Sequence, residues 1–283
     1  MEMNDIFNAF LLKAILIMLT AMAASFCQAN CTRHINVHLT ASPPLSTKNN
    51  ADSTATNFDS IFLRGIEEKT GCTFTYIAAP KSRQEALFRS GQFDLLHSAT
   101  RTEEQEKYGI FIPQLQIRAT IISLDSARKG IDSAKDLLDR TELHLVLLRG
   151  SDYGPAYLQL VEELNKQGRV SMEADANSIA RTLRLNSNYV TIMSPVIFIT
   201  ALQKESRKEF LVSKVRYENI DALPWIDSGI YVSKNSLNKQ DQVTLVQAFT
   251  SAAKNGEIWN AFLRVFPQEE IRKNIRQISV GSL

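Results

Sequence analysis

Short apolar runs alternate with longer amphipathic stretches along almost the whole chain. Ile35 to Leu39 is the first such strand. Asn57-Phe58-Asp59 opens a helix with Phe58, Ile61, Phe62 and Ile66 on one face, and Gly71 ends it. Thr73 to Ile77 predicts a strand, Ser82 to Arg89 a helix stopped by Gly91, and Phe93 to His97 a short strand. Thr102-Glu103-Glu104-Gln105 has the form of a capping box, a hydroxyl at the cap and an amide three residues later. Gln114 to Leu124 is β-rich without a breaker, long enough to leave one lobe and enter another.

Beyond it the same grammar repeats. A helix from Ser133 to Leu138 leads to a strand from Leu143 to Leu148. The turn Arg149-Gly150-Ser151-Asp152-Tyr153-Gly154-Pro155 follows, then a helix from Pro155 to Gln167 ended by Gly168. Val170 to Glu173 and Tyr189 to Met193 are strands on either side of a helix from Ser178 to Leu185. Ser194-Pro195 is an N-cap and first-turn pair for a helix running to Ser206. Gly229 to Ser233 reads as a strand returning to the first lobe, and helices from Gln240 to Val265 close the chain. Strands and helices in this order imply α/β lobes built on mostly parallel sheets flanked by helices.

Composition narrows the class and says nothing about a ligand. With 283 residues, 44% hydrophobic and 22% charged, the chain has the content of a folded protein of one large or two smaller domains. Lys and Arg (32) nearly balance Asp and Glu (30), and no basic stripe interleaved with aromatics marks a nucleic-acid binder.

Ala14 to Ala24 is an unbroken apolar run behind Lys13, well short of the ~20 residues a membrane span needs but right for the core of a signal peptide. Cleavage is expected after Ala29; an uncleaved anchor starting near Ile6 is the alternative. The chain is therefore expected in the periplasm. Export suits the cysteines: Cys31 and Cys72 each stand just before an apolar strand, and a bridge is possible if those strands are parallel neighbours. A reactive thiol pair is the other reading, but there is no C-x-x-C and nothing nearby to activate either sulfur.

Arg83…Leu87…Gly91-Gln92-Phe93-Asp94-Leu95, then Ser98-Ala99-Thr100-Arg101-Thr102-Glu103-Glu104 and Phe111-Ile112-Pro113, resembles the extracellular solute-binding proteins of family 3, receptors for polar amino acids that serve ABC importers. Pro43-Pro44-Leu45 with Asn57-Phe58-Asp59, and Gly150-Ser151-Asp152-Tyr153, match the family's opening and its second-lobe turn. The resemblance implies two α/β lobes joined by two hinge strands and closing on a ligand in the cleft. The expected division is a signal peptide over 1–29, a first lobe of 30–118 with 228–283, and a second lobe of 119–227. Expected partners are a small polar solute and the membrane subunits of an ABC importer, with no nucleic acid, no cofactor and no metal, and the chain is expected to be a monomer.

Ser98, Ala99 and Thr100 follow a buried strand end, where such clefts form. Gly150 and Ser151 read either as an anion-binding nest or as an ordinary strand-to-helix turn. The departures bear on the ligand. Where the family has an Arg that forks onto the ligand carboxylate this chain has Gln105, which also fits simple capping-box service. Where it has an Asp for the ammonium, the chain has Ser194, equally a helix N-cap, and Ser42 replaces an aromatic platform. Tyr153 is a compensating candidate, as are Arg149, Asp152, Trp225 and Asp227. A standard α-amino acid is therefore not the expected ligand. His34 and His38 are four apart on an expected strand without further metal ligands, and His97 stands at a strand end. An enzyme is not expected. The alternatives to a carrier are a sensor or accessory protein, and an enzyme resembling periplasmic dehydratases, with Glu173 or His97 as its poor acid/base candidates.

Overall fold

The structure, a computed structural model, describes residues 30–40, 58–124, 127–202, 211–266 and 269–278. The expected signal peptide, Ser42 and the Pro43-Pro44-Leu45 turn lie outside the described residues. In chain order the first elements are β1 (Ile35–Thr40), α1 (Phe58–Thr70), β2 (Phe74–Ala79), α2 (Lys81–Arg89), β3 (Leu95–Thr100), α3 (Glu103–Glu106) and β4 (Gly109–Arg118). Then come β5 (Thr120–Ser123), α4 (Ala134–Asp139), β6 (His144–Leu148), α5 (Pro155–Lys166), β7 (Val170–Glu173), α6 (Ala176–Leu185), β8 (Tyr189–Met193), α7 (Pro195–Leu202) and β9 (Arg216–Glu218). The last are β10 (Trp225–Ser233), α8 (Lys239–Lys254), α9 (Glu257–Val265), α10 (Glu269–Arg272) and β11 (Ile275–Gln277). Among the described residues no helix is long and apolar enough to cross a membrane.

Two sheets result, each flanked by helices. The first has the order β11-β4-β10-β3-β1-β2 and the second β7-β6-β8-β5-β9. Pairing is parallel at β1–β2, β1–β3, β6–β7 and β6–β8, and antiparallel wherever a strand next to the crossings takes part. The parallel centres are the continuous apolar runs: Ile35, Val37 and Leu95 in one sheet and Leu145, Val146 and Leu147 in the other are fully buried. Helix α1 buries Phe62, Leu63 and Ile66, and α8 buries Leu245 and Phe249, over the first sheet.

The chain crosses between the sheets twice. The long β-rich run passes from β4 in the first sheet to β5 in the second, broken only at Ala119. It returns between β9 and β10, and β10 re-enters the first sheet at Trp225, which pairs with Arg118. Arg118 ties the two crossings together, donating from Nε to the Leu223 carbonyl at 2.9 Å and from Nη2 to that of Ile220 at 2.8 Å. Thr120 adds a hydroxyl bond to Asn219 at 3.0 Å.

Cys31 and Cys72 are bridged, and the strands behind them are parallel neighbours in register from Ile35–Phe74 onward. The same end is pinned by Thr32, whose N–H and hydroxyl both donate to the buried Asp241 of α8. Several elements differ from expectation, among them β4, which starts at Gly109 rather than Gln114, and β10, which starts at Trp225 rather than Gly229. The strand expected over Phe93–His97 runs over Leu95–Thr100; Asp94 stands just before it, its carboxylate accepting from Asn36 N–H and from both Arg33 Nη atoms while its own N–H donates to the Asn36 carbonyl. The helix expected from Ser178 starts at Ala176, capped by Asp175 onto the Ser178 N–H.

Candidate functional site

The lobes meet along a seam made by the carboxyl ends of their strands. On the first lobe it is built from the end of β3 and the first turn of α2. On the second it is the turn that joins β6 to α5. Thr100 donates its hydroxyl to the Asp152 carbonyl at 3.4 Å, bridging the lobes. Gly150 lies so close to α2 that a methyl group on it would stand 2.8 Å from the Ser82 Cα and 3.1 Å from its nitrogen. Gly150 has φ of +82°, where a side chain is strained in any case. Glycine here thus serves both the turn and the approach of the two lobes.

Asp152 organises its own turn by accepting the Gly154 N–H at 2.7 Å. That Asx turn presents Gly154 as the cap of α5, with Pro155 in its first turn. Behind it Tyr153 is buried and its hydroxyl accepts the Ser194 N–H at 3.0 Å. The Ser151 side chain also bonds that hydroxyl. Burial pushes the Tyr153 pKa up to about 12, against the opposing pull of those two partners. Ser194 is buried at the head of α7, its carbonyl accepting from the Ile197 and Phe198 N–H groups.

On the first-lobe side, Ser98 is exposed and holds φ of +50°, a left-handed conformation costly for a residue with a side chain. Its hydroxyl lies 3.3 Å from His97 Nδ1, and it lines a small cavity of about 30 Å³ together with His97, Gln114 and Ser228. Ala99 is buried and pairs with Gly229 of β10. His97 is buried, stacked on His38 with ring centroids 4.1 Å apart, and its Nε2 donates to the His38 carbonyl at 2.6 Å.

Gln105 forms only half of a capping box. Its backbone N–H donates to the Thr102 hydroxyl at 3.2 Å, but its side chain does not return the bond. Thr102 N–H is taken instead by the Tyr231 hydroxyl at 2.9 Å, and Gln105 Nε2 reaches Glu85 on α2 at 2.9 Å.

The structure thus brings Thr100 and Gly150 to one seam, with Asp152 beside them. It gathers Ser151, Tyr153 and Ser194 into one hydrogen-bonded group in the second lobe, and joins Gln105 to Glu85 in the first. Sequence reasoning missed Ser82 and Glu85. Ser82 was legible as the start of a helix, but nothing local marks it as the residue facing Gly150. Two other candidates are occupied elsewhere: Trp225 stacks under the Arg276 guanidinium at 4.3 Å, and Asp227 accepts from Gln116 at 2.9 Å. Among the described residues no group of three or more His, Cys, Asp or Glu is placed to hold a metal ion.

No family model matches the chain, and no curated protein matches it. Solved structures do. An ancestral arginine-binding protein bound to arginine superposes with a TM-score of 0.62 at 16% identity, over 84% of this chain and 98% of that one. A substrate-binding protein of an ABC uptake transporter from Streptococcus pneumoniae with bound histidine gives 0.63 at 16%, over 83% and 93%. An ancestral amino-acid-binding protein described as a precursor of cyclohexadienyl dehydratase gives 0.62 at 13%, over 82% and 95%. The likeness is one of fold: two lobes of the periplasmic-binding type.

Proposed function

We propose that this chain is an exported solute-binding protein that captures a small polar solute between its lobes by hinge closure and hands it, as a monomer, to the membrane subunits of an ABC importer. The observation that carries this reading is the seam. Thr100 and Ser82 of one lobe meet Asp152 and Gly150 of the other, while two clamped crossings connect the sheets among the described residues. Such a layout lets the lobes part and close as bodies, and a solute touching both biases the closed state. The neighbours bound to arginine and histidine support the same role on the same fold. A standard α-amino acid is not the proposed solute, because Gln105 supplies no charge for a carboxylate and turns to Glu85 instead.

The test is a thermal-shift screen of the purified protein against amino acids, amines, organic acids and short peptides, with small-angle scattering on each hit. A solute at a hundred times its Kd adds about 2.7 kcal/mol. At about 2–4 °C per kcal/mol for a chain of this size, the midpoint should rise by several degrees and the radius of gyration should fall. Hydrolysis, dehydration or other turnover of a hit would overturn the carrier reading in favour of an enzyme. Hits that leave the lobe spacing unchanged would overturn hinge closure.

A further inference from the structure

Beside the seam, in the first lobe, two acceptors stand together. Glu85 is half-buried in α2, three residues after the Ser82 that faces Gly150. Its carboxylate receives one hydrogen bond, from Gln105 Nε2 at 2.9 Å, and among the described residues no Lys, Arg or His pairs with it. Gln105 is only 3% exposed, and its Oε1 is buried without a hydrogen-bond partner. The amide cannot turn over to relieve this, since that would set its oxygen against the carboxylate. Oxygen and nitrogen share one carbon, so the orphan oxygen lies within about 5 Å of the same carboxylate. The neighbouring arginines are engaged elsewhere, Arg101 with Glu106 at 2.6 Å and Arg89 toward Glu104 at 3.8 Å.

A carboxylate and an amide oxygen within about 5 Å of each other, both short of donors, accept hydrogen bonds and carry negative charge. A carboxylate ligand would be repelled there and a neutral hydroxyl would gain little. A cation with several N–H groups can satisfy both oxygens at once, in charge-assisted bonds. We infer that Glu85 and Gln105 bind the ammonium or guanidinium group of the solute, which is a small organic cation with no need of a carboxylate. The inference rests on the solute-binding reading and names the class of solute. Gln105 also positions the site, because its Nε2 holds the Glu85 carboxylate in place.

The experiment is titration calorimetry on the purified protein with 1,4-diaminobutane and agmatine as cations, succinate as the anion, and glutamine and alanine as zwitterions. The cations should bind at least tenfold more tightly than any other probe. Glu85→Gln should weaken them tenfold or more while the melting temperature moves by no more than a degree or two, and the wild-type affinity for cations should fall with added salt. Gln105→Met, which keeps the volume but removes both amide heteroatoms, should weaken the cations several-fold; should that variant fail to fold, Glu85→Gln decides alone. Tight binding of succinate or glutamine with lobe closure, and none of the cations, overturns this inference and leaves the solute-binding reading standing. Unchanged cation affinity in Glu85→Gln also overturns it. If no probe binds and scattering detects no closure with any of them, this inference falls, and the broader screen decides the reading beneath it.

Discussion

Gly150→Ala separates the two demands that the seam makes on one residue. The first is local: at φ of +82° an alanine pays the left-handed penalty, about 1 kcal/mol. That cost falls on the second lobe whether the lobes are open or closed. The second exists only when they are closed. The new methyl would sit 2.8 Å from Ser82 Cα and 3.1 Å from its nitrogen, backbone atoms of a helix that cannot swing aside. Relief to ordinary van der Waals contact at about 3.5–4 Å requires the lobes to part by roughly 1 Å. The Thr100–Asp152 bond is already 3.4 Å long and would break with such a movement, losing about 1 kcal/mol more. The closed state should therefore lose about 1–3 kcal/mol relative to the open one, and apparent solute affinity should fall about tenfold, since 1.4 kcal/mol is a factor of ten. The control is Gly168→Ala, at φ of +70° in the same lobe but with nothing within 4 Å of the added carbon. Gly168→Ala should lower the melting temperature by its local cost alone, and Gly150→Ala by at least as much. Only Gly150→Ala should broaden and lengthen the interlobe distance measured by pulsed electron–electron spectroscopy between spin labels on the two lobes. Identical distance distributions for the two variants would show that the seam contact does not govern closure.

Replacing Cys31 and Cys72 by serine opens a loop with a sequence separation of 41, which in the chain-entropy picture removes about 4 kcal/mol, and chemical denaturation should show that loss. An unchanged unfolding midpoint would mean that Thr32 and Asp241 hold the segment unaided. Tyr153 gives a pH dependence of definite sign. Its folded-state pKa is raised to about 12 against about 10 unfolded, so its contribution is whole below pH 10 and is lost as pH rises through 12. Stability measured from pH 9 to 12 should fall, and Tyr153→Phe should flatten part of that fall. An equally steep fall in the variant would assign the loss to other buried groups, among them Tyr157, whose pKa is also raised by burial.

Much of the architecture was legible along the chain. Leu143 to Leu148 reads as a strand, and His144–Leu148 forms one, its last four residues buried because a parallel central strand is covered on both faces. Gln114 to Leu124 declared a crossing, because a β-rich stretch without a breaker is longer than one sheet of this size uses, and Ala119 is where it changes sheets. Thr102 named itself as a cap by its hydroxyl and its place before an acidic first turn. These are local properties, set by periodicity, side-chain bonding and backbone freedom within a few residues.

The site is another matter. Gln105 fits a capping box in sequence, yet its side chain goes to Glu85, 20 residues away, and the Thr102 N–H is taken by the Tyr231 hydroxyl, 129 residues from Thr102. Gly150 is marked as a turn by its type, but its closeness to Ser82 comes from a chain that leaves the first sheet and folds back over it. Ser194 carries the signature of an N-cap and ends with its N–H on Tyr153, a partner 41 residues earlier. Hydrophobic periodicity is summed over many residues and so survives in the one-dimensional chain. A hydrogen bond between two side chains depends on positions fixed to within a few tenths of an ångström by everything packed around them, and only the tertiary structure decides it.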